Sequence, residues 1–501
     1  MERMSYFVDG NETSNLVAVM KKGNIYPGIN GLKIYINMSN LGYYAQMRPF
    51  FEEEKIDDDY EYYIPNDFGP NADQNIQRPQ NNIPIEDDTS SIGSLSFEDE
   101  SMTEEEHQAY CRMRKELKPF YSYELFPNLK KLDVSQSSEL YPLGSFVVDG
   151  FKALKNLESL KIGILKRSID TIYLFMAFLE LPLLRNFSLN INFLRDEDWP
   201  VFEKFVKAQK NLQAFAFSLS AEPDSKDRYL QLNTSLEKLI QCLENKPMLK
   251  SLDLRSEFWA LEALSKGLSH LTMKNQLYSF TFEGIDESIT SKTKPQKKVS
   301  GLCKFIKNQK ESLRELSGLL PMVFEDKIAV YIVEAISKLV HLRDLRLELN
   351  FCTGRTTRFL FPFFEETLQE DDSWDKEYVG FEKWSPNIAK HLKRLENLES
   401  FVFKCDILNE EEEGIKWFID VVKALPSLER LKKLEILTFE EGRLEGKEEE
   451  IAEALLQLKN IREASINLWQ DKGNETLSHS EIKSVLFEIR KRQALRHDLF
   501  F

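Results

Sequence analysis

A short apolar pattern returns at nearly constant spacing along most of this chain of 501 residues. Its clearest copy, residues 342–352, combines one i, i+3 step with one i, i+2 step between leucines. The i, i+2 step is typical of a strand that buries one face, so Arg346 and Glu348 are predicted to point to solvent. Asn350 follows where the chain must leave the strand, and its side chain can satisfy backbone groups there.

Looser copies fix the period. A strand-like copy, 29–39, lies near the N-terminus. The first apolar residues of the later copies are Leu129, Leu157, Leu184, Leu212, Leu249, Leu277, Leu313, Leu342, Leu398, Leu434 and Ile461. Subtraction gives separations of 28, 27, 28, 37, 28, 36, 29, 56, 36 and 27 residues. We interpret 56 as two periods and 36–37 as one period plus a loop. Such a period predicts a solenoid with one strand and one helix in each repeat.

The intervening residues indicate helices, because apolar residues recur at three and four spacing in stretches such as 236–249 and 448–461. Phenylalanine often replaces leucine at positions that the pattern assigns to the core. These positions are Phe187, Phe215, Phe217, Phe280, Phe282, Phe401 and Phe403. We expect them to be buried rather than to form a ligand-stacking site.

The repeats resemble the ribonuclease-inhibitor-like class of leucine-rich repeat, whose repeats are long and contain true helices. The resemblance covers roughly residues 120–470 and depends on the repeat pattern, since Asn192 and Asn350 are among few residues that fill the asparagine position. It implies an α/β leucine-rich-repeat solenoid, or horseshoe, with a parallel concave sheet and convex helices.

The pattern divides the chain into four regions. We predict an N-terminal strand or cap in 1–50, an acidic low-complexity insertion in 51–118, and leucine-rich repeats in 119–470. An aromatic-rich insertion, 353–397, interrupts the repeats, and 471–501 reads as a C-terminal helical cap that covers the last strand.

The acidic insertion carries the net charge of the chain. Residues 51–110 hold 18 Asp and Glu against two basic residues, a local charge of −16, and the whole chain is also −16. Such a composition buries too little apolar area to fold alone. Two interpretations stay open: a solvated loop, or an acidic arm that docks on a basic partner or on the repeats themselves.

The sequence gives no sign of catalysis. The six histidines are scattered, the five cysteines form no CxxC pair, and no phosphate-binding or nucleophile motif is present. We therefore expect no enzyme activity, no cofactor and no metal. The cysteine spacing and the lack of a long apolar run predict a soluble, reduced, cytoplasmic protein that does not enter a membrane.

The surface that this fold creates is the outer face of the sheet. Its predicted partner-binding residues are Lys33, Tyr35, Asp133, Lys161, Asn190, Asp253, Arg255, Glu283, Arg346, Glu348 and Lys404. Their charges are mixed and form no basic stripe, so we expect one or more protein partners and no nucleic acid.

These observations favour a non-catalytic protein-interaction scaffold. Residue usage and analogy suggest a cytoskeletal or ciliary component of a protist. Two alternatives come from similar leucine-rich-repeat families, the substrate receptors of ubiquitin ligases and the regulators of small GTPases. Neither transfers residue by residue: residues 1–28 are short for an adaptor-binding module, and the acidic run precedes rather than follows the repeats.

Overall fold

The structure is a computed structural model. It describes residues 2–8, 29–36, 128–134, 150–164, 171–191, 194–220, 225–256, 258–286, 293–323, 326–351, 385–407, 412–438 and 448–468, with single positions at 487 and 491. The predicted acidic insertion 51–118 lies outside these residues, and so does the predicted C-terminal cap 471–501 apart from those two positions.

The described residues form one parallel sheet whose thirteen strands follow chain order from first to last. The strands are β1 (Glu2–Val8), β2 (Ile29–Ile36), β3 (Lys131–Val134), β4 (Ser159–Ile164), β5 (Asn186–Ile191), β6 (Ala214–Leu219), β7 (Ser251–Arg255), β8 (Ser279–Glu283), β9 (Glu315–Val323), β10 (Asp344–Phe351), β11 (Ser400–Ile407), β12 (Lys433–Thr438) and β13 (Glu463–Leu468). Each strand pairs only with its neighbours in sequence order, which is the arrangement of a solenoid.

From β4 onwards, helices connect successive strands. They are α1 (Thr171–Leu179), α2 (Asp198–Ala208), α3 (Lys226–Gln241), α4 (Leu261–Ser269), α5 (Pro295–Lys298), α6 (Ser300–Asn308), α7 (Asp326–Ile336), α8 (Ser385–Leu392), α9 (Glu412–Ala424) and α10 (Glu448–Leu456), with a 3₁₀ turn at Leu425–Ser427. Each helix packs against its neighbours along the chain, so the helices form a second layer beside the sheet.

The two layers explain the curvature. Neighbouring strands lie about 4.8 Å apart, whereas packed helices need about 8–10 Å between their axes. Because each repeat adds one strand to one layer and a helix to the other, the helical layer is longer and the sheet lies on the inside. The chain is therefore an α/β leucine-rich-repeat solenoid with a concave parallel sheet and convex helices.

The core lies between the layers, and the phenylalanines predicted to fill it are all buried. Phe187 is typical, because its ring centroid lies 4.8 Å from Phe205 and 5.7 Å from Phe178 on the flanking helices, and 6.1 Å from Phe215 on the next strand. Contacts of this kind link each repeat to the next, since aromatic pairs at such distances add to the free energy of burial.

Strand pairing corrects one position of the predicted repeat register. Leu434 pairs with Phe401 on one side and Ala464 on the other, so it occupies the fourth position of its repeat and not the first. The first position is Leu431, which is buried. The steps from Leu398 to Ile461 are therefore 33 and 30 residues, not 36 and 27, by subtraction. The other ten first positions agree with the pairing.

The 56-residue step adds no strand to the sheet, because β10 pairs directly with β11. Helix α8 occupies residues 385–392, inside the range assigned to the insertion 353–397, and packs against α7 and α9 as the ordinary helix of its repeat. At the other end, β2 pairs with β3 across the intervening residues 37–130, and β1, which the sequence pattern did not identify, precedes both.

Candidate protein-binding surfaces

The exposed face of the sheet consists of three rows of side chains that cross the strands. On β10 the rows pass through Asp344, Arg346 and Glu348, while the alternating Leu345 and Leu347 point into the core. Across β3 to β13 these rows contain six Lys or Arg and eight Asp or Glu. We call this surface the concave face. Its near balance of charge is the mixed character that the sequence predicted.

The structure brings three of the predicted binding residues together. Glu348 lies in register with Lys404 on the next strand, and its carboxylate is 3.9 Å from the Lys404 ammonium and 3.6 Å from the Arg346 guanidinium. Arg346 is nearly half exposed and Glu348 about a quarter exposed. Exposed pairs of this kind add little stability, so their main effect is to orient the charges towards solvent.

A second predicted pair forms on one strand. The Arg255 guanidinium donates to both carboxylate oxygens of Asp253, at 2.7 and 2.8 Å. This two-point contact fixes the planar guanidinium more firmly than a single hydrogen bond would. Asn190, two strands before, lies 3.5 Å from the Ser220 hydroxyl, which donates to its amide oxygen. Glu283 lies in register with Leu319, an apolar residue that is almost buried in the same face.

The remaining predicted residues lie at the N-terminal end of the sheet. Strand pairing sets Lys33 opposite Asp133, and Asp133 opposite Lys161, so basic and acidic residues alternate across β2 to β4. Tyr35 lies two residues further along β2, opposite Phe7 of β1. The predicted residues thus spread over the whole sheet rather than converge on one pocket.

A different surface lies at the edge where the strands begin. We define the basic edge row as the residue directly before the first concave-face residue of each strand from β3 to β13. Its members are Lys130, Glu158, Arg185, Gln213, Lys250, Tyr278, Arg314, Arg343, Glu399, Lys432 and Arg462. Seven of the eleven are basic and two are acidic. No row of the concave face has an excess of basic residues of this size.

Backbone hydrogen bonds join the members of the basic edge row. The amide of each member donates to the carbonyl of the member before it, at distances from 2.6 to 2.9 Å along the whole series. The row is therefore a continuous extension of the sheet, and its side chains recur at the strand spacing of about 4.8 Å.

The two acidic members respond to their basic neighbours. Lys130 lies 2.9 Å from the Glu158 carboxylate and Arg185 lies 3.8 Å from it. The hydrogen bond from Lys130 lowers the pKa of Glu158 below its usual value, although burial opposes it. The Lys432 ammonium, 2.6 Å from Glu399, lowers the pKa of that carboxyl in the same way. Both glutamates are thus held in the charged form by the cations around them.

Sequence reasoning missed the basic edge row because it looked for binding residues only within the strands. The signal was present in the aligned copies, where Lys or Arg repeatedly follows the first apolar residue. The incorrect first position at Leu434 also hid one member, since it pointed to Glu435 instead of Lys432.

Among the described residues, the structure contains no cluster of three or more His, Cys, Asp or Glu that could hold a metal ion. The cysteines in this part of the chain, Cys242, Cys303 and Cys405, are buried. No described helix combines the length and apolar character that crossing a membrane requires.

Comparison with known proteins adds little to this geometry. No protein-family model matches the chain, and no curated protein matches it. Among solved structures, it is similar to the "Crystal structure of TLR13-ssRNA13 complex", with a TM-score of 0.31 and 12% sequence identity, over 72% of this chain and 42% of that chain. The chain thus covers less than half of that protein, and the fold assignment depends on the strand register and helix packing described above.

Proposed function

We propose that this chain is a non-catalytic scaffold that binds one or more proteins on its concave face. The observation that carries the proposal is the charge pattern of that face, where cations and anions lie in register on several pairs of neighbouring strands and some of them form ion pairs. Partners with a complementary mixed pattern would find these groups already oriented, which favours specificity and fast association.

Side-chain size supports a close approach to the middle of the sheet. The concave-face residues of β5 and β6 include Ser188, Ala214 and Ala216, and none of the concave-face residues on these two strands is charged. Small side chains leave the backbone ladder near the surface there, with charged residues towards both ends of the sheet. A folded partner can therefore contact the centre through shape and hydrogen bonds, and the ends through charge.

The class of repeat and the cellular role of the scaffold are also part of this proposal. Repeats near 28 residues with true helices support the ribonuclease-inhibitor-like class. A cytoplasmic cytoskeletal or ciliary role in a protist extends the scaffold proposal by analogy alone. The substrate receptor of a ubiquitin ligase and the regulator of a small GTPase stay as alternatives, and identification of the partner would separate all three.

The proposal is tested by removing charge from the concave face of the full chain. The variant Arg255→Ala, Arg346→Ala, Lys404→Ala deletes three cations of that face. The matched control Lys204→Ala, Lys304→Ala, Lys390→Ala deletes three exposed cations of the helical layer. Both variants are used as bait in cells of the source organism, and the recovered proteins are quantified by mass spectrometry.

We expect specific partners whose recovery falls at least tenfold with the concave-face variant and less than twofold with the control. Loss of three oriented contacts at about 1 kcal/mol each is enough for that decrease. Equal recovery with both variants, or a loss confined to the helical-layer control, would place binding elsewhere and overturn the proposal.

A further inference from the structure

The basic edge row differs in charge from the concave face beside it. It holds seven cations and two anions, whereas the three rows of the concave face together hold six cations and eight anions. Because its members are joined by backbone hydrogen bonds, the cations occur in a line rather than in a scattered patch. A line of charge at regular spacing suits an extended polyanion.

Several of these cations form no ion pair within the part of the chain that the structure describes. Lys250, Arg343 and Arg462 are exposed and belong to this group, although Arg343 lies beside Glu399 in the row and helps to lower the pKa of that carboxyl. Glu158 and Glu399 neutralise only the cations beside them. The row thus keeps a net charge of +5 from its own side chains.

The same chain contains a segment of opposite charge. Residues 51–110 carry a net charge of −16, and Lys130, the first member of the row, lies 20 positions after residue 110. The connection between β2 and β3 therefore ties the acidic segment to the beginning of the row. A tether of this length raises the local concentration of the segment at the row to the millimolar range.

We propose that the acidic segment 51–110 docks along the basic edge row of its own solenoid. The inference concerns a surface other than the concave face, so it does not depend on the proposed partner binding there. It assigns the basic partner of the acidic segment to this chain itself.

Dimensions permit the contact. Eleven row members at about 4.8 Å span roughly 50 Å, and sixty residues can extend over roughly 200 Å. The segment can therefore follow the whole row with length to spare. Attraction between exposed charges weakens with salt, because the Debye length falls from about 10 Å at 0.1 M to about 3 Å at 1 M. The docked arrangement is thus expected at low and physiological salt and not at high salt.

Zero-length cross-linking of the full chain tests the proposal. A carbodiimide joins a lysine to a carboxylate only where the two touch. The row lysines Lys130, Lys250 and Lys432 report contact, and the exposed helical-layer lysines Lys204, Lys304 and Lys390 are the reference. Mixing chains labelled with nitrogen-14 and nitrogen-15 separates cross-links within one chain from those between two chains.

We expect the carboxylates of 51–110 to cross-link within one chain to row lysines about tenfold more often than to reference lysines. Raising the salt from about 0.05 M to about 1 M is expected to lower the row cross-links at least fivefold. Reference cross-links should change little.

Charge reversal provides the matched comparison. The variant Lys250→Glu, Arg343→Glu, Arg462→Glu alters the row, and Lys204→Glu, Lys304→Glu, Lys390→Glu applies the same change of charge to the helical layer. The row variant should lose most cross-links to Lys130 and Lys432, and the helical-layer variant should keep them. An even distribution over all lysines, indifference to the row variant, or cross-links found only between two chains would overturn the proposal.

Discussion

At the residue scale, Lys246 is unusual because the side chain of this charged residue is buried. Its ammonium is buried and donates to three carbonyls of the preceding repeat, those of Val206, Lys207 and Gln209, at 2.6, 2.9 and 2.9 Å. These carbonyls end helix α2 and have no partner further along that helix. The side chain therefore satisfies a helix C-terminus from the next repeat, where its charge also favours the negative end of the helix dipole.

The variant Lys246→Met is expected to lower stability by about 2–4 kcal/mol at pH 7, because it leaves buried carbonyls without donors. Burial lowers the pKa of Lys246 from 10.5 to about 8. At pH values between these two pKa values, the unfolded chain binds more protons than the folded chain. The contribution of this lysine to the free energy of unfolding therefore increases as the pH rises through this range, and it is lost again as the pH falls through 8. The difference in the free energy of unfolding between the wild type and Lys246→Met should therefore widen from pH 7 to about pH 9.5.

Urea denaturation midpoints at the two pH values measure this effect. The matched control is Lys250→Met, which removes an exposed lysine from the basic edge row and should change stability by less than about 0.5 kcal/mol. If the difference in stability between the wild type and Lys246→Met narrows as the pH rises, the lowered pKa of Lys246 would be contradicted.

Two buried thiols lead to a second prediction at this scale. Burial raises the pKa of Cys303 to about 12 and that of Cys242 to about 11. Since only the thiolate reacts with iodoacetamide, both cysteines should resist alkylation at about pH 8 until the chain unfolds. Peptide mapping with and without urea measures the labelling of each residue. If the two cysteines of the folded chain are alkylated as fast as those of the unfolded chain, the prediction is wrong and these repeats open easily.

At the element scale, the approach of helices α4 and α6 depends on one glycine. The Ser265 hydroxyl accepts hydrogen bonds from the amides of Gly301 and Leu302, at 2.9 and 3.1 Å, and so caps α6 from helix α4. A Cβ placed on Gly301 would lie 1.9 Å from the Ser265 carbonyl oxygen. No L side chain fits there without separating the two helices.

Gly301→Ala is accordingly expected to cost about 2–3 kcal/mol, since overpacking forces the backbone to move. Hydrogen exchange should rise in α4 and α6 before it rises elsewhere, because the cap and the helix contact weaken together. Ser300→Ala, at the exposed neighbouring position, is the control and should cost less than about 1 kcal/mol. Equal effects of the two variants would mean that α6 shifts freely to accommodate the methyl group.

The sequence predicted most of the strands of the sheet, but it gave the wrong register for one repeat and did not reveal β1. Most repeat positions follow from the apolar pattern, because a leucine at the first position has to be buried for the repeat to close. The pattern is ambiguous near Leu431, since Leu434 and Leu437 continue the same three-residue spacing and only pairing with β11 selects the register. Strand β1 escaped detection because only the pairing with β2 identifies it as part of the sheet.

The candidate surfaces were predictable to a similar degree. Alternation along each strand predicted which residues of the concave face point outward, and those whose side chains the structure describes, from Asp133 to Lys404, are at least partly exposed. Which of them meet, such as Glu348 and Lys404, depends on pairing between strands that are 56 residues apart at this step, so spacing alone could not predict it. The basic edge row needed the same register before its cations could be seen as one line.

At the scale of the whole molecule, each repeat contacts only its neighbours, so stability is local. A solenoid behaves approximately as a one-dimensional series of repeats and interfaces, in which a defect weakens adjacent repeats more than distant ones. The aromatic contacts around Phe187 show how such a defect would spread, since they reach α1, α2 and β6 and no further along the sheet.

Phe187→Ala is therefore expected to cost about 3–5 kcal/mol locally and to raise hydrogen exchange in β4, β5 and β6 while leaving β10 to β12 protected. Phe401→Ala, at the same core position of β11, is the matched variant and should give the reciprocal pattern. Amide exchange resolved by peptide measures both. Because the two equivalent changes are made six strands apart in the sheet, the comparison separates local coupling from a general loss of stability. Uniform loss of protection in either variant would show that the repeats unfold as one cooperative unit.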